Sequence, residues 1–183
     1  MNWKARIGDL VLVKHAVAQL DRSGLWSYRL PELAASEAQL ERVEGAIGEP
    51  IDLSYRAFLS CAGGWRAIYL AVDLFGPAEY LGSDAESRGR WERANERLGN
   101  LDRLGMLRAD GLSTADLLPI AVSANDADIF VLGRYSSIVR GQVLWFAEDP
   151  VDRFASFEDY FLAMIEYNRL DLRDERERLG QNG

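Results

Sequence analysis

The sequence predicts an α+β fold, one mostly antiparallel sheet with helices packed on one face. Two observations carry this expectation. Amphipathic helical stretches come first, several short β-like runs follow, and a further helix closes the chain. With 183 residues, 48% of them hydrophobic, the chain also has material for a core that covers one side of a sheet.

The first helix is expected over about Arg6 to Asp21, with Ile7, Leu10, Val11, Val17 and Leu20 on or near one face. Ser23-Gly24 then turns the chain, and Leu25 to Tyr28 reads as an apolar arm. Residues 1–34 together form an N-terminal helical extension. The second helix opens with Ser36 as cap and Gln39 three residues on, a capping-box pattern. Leu40, Val43 and Ile47 share a face, Gly48 supplies a left-handed stop and Pro50 prevents continuation. The third helix has Ser54 as its expected cap and Tyr55, Phe58, Leu59 and Ala62 as its buried face, with Gly63-Gly64 as its stop.

Trp65 to Leu74 reads as a strand, closed by Gly76-Pro77. The segment 81–116 has the least regular pattern of the chain. Arg88 to Leu98 looks helical and charged, a solvated face, and Gly99, Gly105 and Gly111 break it into pieces. This segment is also a candidate to lie over the sheet. Leu118–Val122 and Asp128–Leu132 form a hairpin-like pair around a turn at Ser123–Asp126. Gln142–Phe146 is a third strand, ended by Glu148-Asp149-Pro150. Ser156 with Asp159 starts the last helix, whose stripe is Phe157, Tyr160, Phe161, Met164 and Ile165. The tail 168–183 alternates Arg with Asp and Glu and extends this helix before fraying.

Four of these stretches, in this order, resemble a known family. They are the paired helices ending in Gly63-Gly64, then Leu117–Leu132 (LLPIAVSANDADIFVL), Gly141–Phe146 (GQVLWF) and Ala155–Tyr167 (ASFEDYFLAMIEY). Together they resemble the SUKH superfamily in its Smi/Knr-like branch, over roughly Ala35 to Tyr167, so that 35–167 reads as the family-like core of a single domain. The resemblance implies the sheet-and-helix fold already expected. It also implies a bacterial immunity protein, one that binds a cognate toxin, often a nuclease or deaminase effector. The alternative within the family is a regulatory or scaffold interaction module. Its members carry long flanks that are absent from this compact chain.

The search for chemistry excludes several classes. No G-x-S-x-G elbow, Walker loop, H-E-x-x-H or Cys/His pairing is present, so no catalytic, cofactor or metal motif is identified. Cys61 is the only cysteine and reads as core; His15 is the only histidine and reads as a surface or half-buried helix residue. No apolar run reaches membrane-spanning length, which makes the cytoplasm the default compartment. The net charge of −8 is uneven: residues 1–30 carry +3 and the remainder −11. Such a chain suits a basic protein partner better than the phosphate backbone of a nucleic acid.

The candidate contact residues are the carboxylates Asp126, Asp128, Glu148, Asp149 and Asp152, with the aromatics Trp65, Tyr69 and Trp145. The carboxylates fall at turns next to strands, where Asp is also favoured for backbone reasons alone. An oxygen-only cluster there also admits Mg²⁺ or Ca²⁺, and with it a metal-dependent hydrolase as a minor alternative. Tyrosine and tryptophan beside acidic groups are the usual material of protein-binding hot spots.

Overall fold

A computed structural model describes residues 1–22, 24 and 26–180. The expected turn at Ser23 and the arm at Leu25 lie in part outside the described residues, as do residues 181–183.

Six antiparallel strands form a single sheet in sequence order: β1 (Trp65–Tyr69), β2 (Val72–Leu74), β3 (Leu117–Ser123), β4 (Ile129–Gly133), β5 (Val143–Phe146) and β6 (Pro150–Phe154). Each strand therefore pairs with the next along the chain, and local hairpins build the whole sheet. The β1–β2, β3–β4 and β5–β6 turns emerge at one end of it. This is the expected fold class.

The helices are α1 (Trp3–Leu20), α2 (Glu37–Ile47), α3 (Leu53–Leu59), α4 (Pro77–Leu81), α5 (Ala85–Arg103) and α6 (Phe157–Gly180). α1, α3 and α6 lie on one face of the sheet. Trp3 sits within 5.6 Å of Phe58, Phe157 and Phe161, an aromatic cluster that joins all three helices. Trp65 of β1 reaches Phe161, and Phe130 of β4 reaches Tyr160, so this cluster continues onto the sheet.

The other face is covered by the middle segment. Ile129, next in the chain to Phe130 and so pointing the opposite way, shares a groove with Leu101 and Leu104. Beyond α5, Asp110 pairs with Arg153 at 3.1 Å beside Leu144 and Phe146. Covered on both sides, β3 and β4 are buried along their whole length.

Local sequence explains most of the helix ends. Ser36 and Gln39 make the capping box of α2, and Gly48 ends it in the left-handed region. The cap of α3 differs from expectation. Asp52 Oδ1 accepts from the amides of Ser54 and Tyr55, at 2.9 and 3.1 Å, and Ser54 stands inside the first turn. α3 also stops at Leu59, before the double glycine.

Gly63-Gly64 does not end a helix but makes a crossing. The amide of Gly63 donates to Glu32 O and that of Glu32 to Gly64 O, which draws the incoming chain onto the glycines. A Cβ on Gly63 would lie 2.3 Å from Leu33 O, and one on Gly76 would lie 1.6 Å from Gly63 O. Only hydrogen fits between these backbones.

Four further elements differ from what the sequence predicts. Trp65 to Leu74 is a hairpin, because Leu70 adopts a left-handed φ of 47° between β1 and β2. Gly76-Pro77 starts α4, with Pro77 in its first turn, where the missing amide costs nothing. α5 runs straight through Gly99, capped by Asp84, and only Gly105 and Gly111 turn the chain. Its face is not simply solvated. Arg90 is buried and donates to Glu79 Oε1 from Nε and Nη2, at 3.0 and 2.8 Å. The sixth strand was not expected, because Pro150 reads as a terminator. At the start of an edge strand, however, its missing donor faces no partner.

The crossing is the position most sensitive to substitution. Gly76→Ala is expected to cost about 4 kcal/mol or more, the range reserved for overpacking of fixed backbone. Gly89→Ala, in open space on α5, is expected to gain about 0.5–1 kcal/mol. Urea denaturation of the two variants measures both.

Candidate partner-binding surface

The strand pairing brings a group of aromatic and acidic side chains together on the α6 face, at the end with the three turns. Trp145 of β5 stands opposite Phe130 on one side and Asp152 on the other. Its ring stacks on Phe130 at 5.0 Å, and its Nε1 donates to Asp128 Oδ1 at 2.8 Å. Asp128 precedes Phe130 by two residues and so shares its face.

From the helix above, the Tyr167 ring lies 6.0 Å from Trp145 and 5.6 Å from Tyr69 at the end of β1. The Tyr167 hydroxyl donates to Asp152 Oδ2 at 3.4 Å. One row of rings, Tyr69–Tyr167–Trp145, thus bridges from the first strand to the fifth. All three are half-buried, which leaves part of each ring to solvent. Asp128 and Asp152 flank the row, each oriented by the polar tip of an aromatic side chain. Neither has an ion-pair partner among the described residues.

One turn further along α6, Asp171 extends the row. Burial first, and then Asp174 and Glu175, push its carboxyl up to about 6. Lys14 of α1 opposes that rise. Lys14 itself is buried, with Nζ donating to Ala67 O at 2.5 Å, and its burial lowers it to about 8. The same surroundings raise the Tyr69 phenol to about 12, burial being the main cause and Asp171 the next.

The other predicted residues lie elsewhere. Trp65 has no exposed surface; its Nε1 donates to Arg29 O at 2.9 Å, and it belongs to the core. The alternation that puts it on the same face as Tyr69 also puts it under α6, so it offers a partner nothing. Asp126 is exposed in the β3–β4 turn, its amide bonded to Ser123 Oγ at 3.0 Å. Glu148 and Asp149 are exposed in the β5–β6 turn and line a groove beside Arg97, Leu101 and Leu104, on the α5 side. The five carboxylates therefore share one end of the sheet but divide between its faces. Among the described residues no group of three or more His, Cys, Asp or Glu side chains is arranged to hold a metal ion.

Two members of the surface escaped the sequence reading. Tyr167 repeats Tyr160 after seven residues, and Asp171 follows Tyr167 after four, so helical spacing alone aligns all three. The signal was present, but it lay beyond the apolar stripe that ends at Ile165. Lys14 was hidden for a similar reason: it sits in the buried stripe Trp3, Leu10, Lys14, Val17, where an apolar residue is expected.

The fold is an α+β domain, a sheet built of consecutive hairpins with an aromatic and acidic face at one end. The model of the SMI1 / KNR4 family (SUKH-1) matches residues 34–163, and the chain belongs to that family. Among curated proteins, none matches the chain closely enough to count as a relative. No helix among the described residues is long and apolar enough to cross a membrane.

The carboxyl of Asp171 can be followed by NMR against pH. Its midpoint is expected near 6, and higher still in Lys14→Met, which removes the charge that opposes protonation. Because its folded value is raised, the folded state holds the extra proton between the ordinary carboxylate range and about 6. Stability from this group is therefore full at lower pH and lost as pH rises through about 6, and Asp171→Asn is expected to remove that slope.

Proposed function

We propose that this protein is a non-catalytic immunity protein, acting in the cytoplasm by binding and neutralising a toxin domain of basic surface. The observation that carries the reading is the row Tyr69–Tyr167–Trp145 with Asp128 and Asp152 beside it. Large rings held rigid by stacking lose little entropy when a partner covers them. Carboxylates with no direct ion pair leave oxygens open to a partner's cation, and the net charge of −8 draws a basic domain from a distance. Membership of the SMI1 / KNR4 family is compatible with this role. A nuclease or deaminase effector, whose cleft is basic because its substrate is anionic, is the partner class that fits.

The test uses any effector domain found encoded beside this protein's own gene, purified, with association followed by tryptophan fluorescence. The double variant Asp128→Lys, Asp152→Lys is expected to associate about tenfold more slowly at low salt, a gap that narrows as salt screens the surface. Equal rates would exclude this surface. Failure of the unaltered chain to bind the effector, or to protect cells that express it, would exclude the immunity role itself.

A further inference from the structure

At the opposite end of the sheet, the link between α2 and α3 meets the ends of β3 and β4 around a cleft of about 310 Å³. Its lining is apolar where Ile51, Leu118 and Leu132 contribute, all three nearly buried. Its mouth carries two large side chains that a folded chain rarely leaves bare, Leu53 at 82% exposed and Tyr135 at 56%.

Two of the four charges around this cleft, Glu49 and Arg134, pair with each other. Arg134 donates to Leu117 O, to Ile47 O and, at 2.9 Å, to Glu49 Oε1. Glu49 Oε2 accepts from the Tyr135 amide, and Asp52 caps α3. Arg140 has no carboxylate partner among the described residues. Its guanidinium lies 3.5 Å above the Tyr135 ring centroid, a cation–π contact that holds the fork in place while leaving its donors unused. Arg140 thus presents unused donors and a positive charge beside this apolar cleft, on a chain whose net charge is −8.

We propose that this cleft is a second binding site, which takes from a protein partner an apolar side chain with a carboxylate beside it. The apolar group displaces water from Ile51, Leu118 and Leu132, while Arg140 receives the carboxylate through paired N–H donors. The volume is at the lower end for ligand sites and suits one or two side chains. Glu49 is neutralised by Arg134, and Asp52 gives one carboxylate oxygen to the α3 amides. The cleft lies at the far end of the sheet from Asp128 and Asp152, so this site stands independently of the toxin-binding surface.

The probe is a capped leucyl-aspartate dipeptide, compared with the isosteric capped leucyl-asparagine, titrated into the full chain and followed by NMR. Saturable shifts are expected at the amides of Gly133 and Gly141 and at the Arg140 side chain, in the millimolar range normal for so small a probe. Binding is expected to weaken about tenfold for the asparagine peptide and for Arg140→Gln, with Arg140→Lys between. Asp128→Lys is expected to leave these shifts unchanged. Equal binding of the two peptides, unaltered binding by Arg140→Gln, or the lack of any saturable shift would overturn the proposal. None of those results bears on the toxin-binding surface.

Discussion

Three stretches of main chain meet at Gly63, Gly64 and Gly76 with no side chain between them, and the arrangement of helices around the sheet follows from that contact. The incoming segment around Glu32 bonds to Gly63 and Gly64, and Ala35 donates to Leu59 O, so α2 and α3 are fixed against each other. The outgoing chain at Gly76 touches the same glycines before it turns into α4. A methyl group at either Gly63 or Gly76 would overlap a carbonyl. The crossing has to be this tight, because α3 continues into β1 with only a few residues to spare.

From that point the chain wraps both faces of the sheet, and two kinds of interaction hold the wrap. On the α6 face it is aromatic: Trp3, Phe58, Phe157 and Phe161 form one cluster, and Tyr55 donates to Phe75 O within it. On the α5 side it is ionic. Arg66 of β1 lies within 3.6 Å of carboxylates on Glu32, Asp73, Glu79 and Glu86, and Arg90 shares the last of these and Glu79. Glu79 and Arg90 are almost wholly buried, where breaking a pair costs far more than the pair contributes. This network ties the middle segment to the sheet through charges that a one-dimensional reading assigns to solvent.

The two ends of the sheet thereby acquire different chemistry. The hairpin turns gather at one end, and turns favour Asp, so carboxylates collect there beside the ends of aromatic-bearing strands. At the other end the α2–α3 link stands off β3 and β4 and leaves an apolar cleft with Arg140 at its edge. A sheet of consecutive hairpins imposes this polarity, since odd-numbered connections all emerge together and even-numbered ones emerge opposite.

Elements whose signals are local can be read from the residues alone. The capping box at Ser36, the left-handed stop at Gly48, the β3–β4 hairpin and the stripe of α6 all follow from spacings within a single element. Four such motifs in order also determine the family and the fold class. What only the tertiary structure decided depends on neighbours distant in the chain. Gly63-Gly64 looks like a helix stop until Leu33 and Gly76 approach it, and Pro150 looks like a terminator until it is found on a free sheet edge. Trp65 and Trp145 are alike in sequence, each on a strand facing α6. One lies under the helix and the other emerges beyond its packed stripe, because solvent exposure depends on what crosses above a residue, and no local pattern records that.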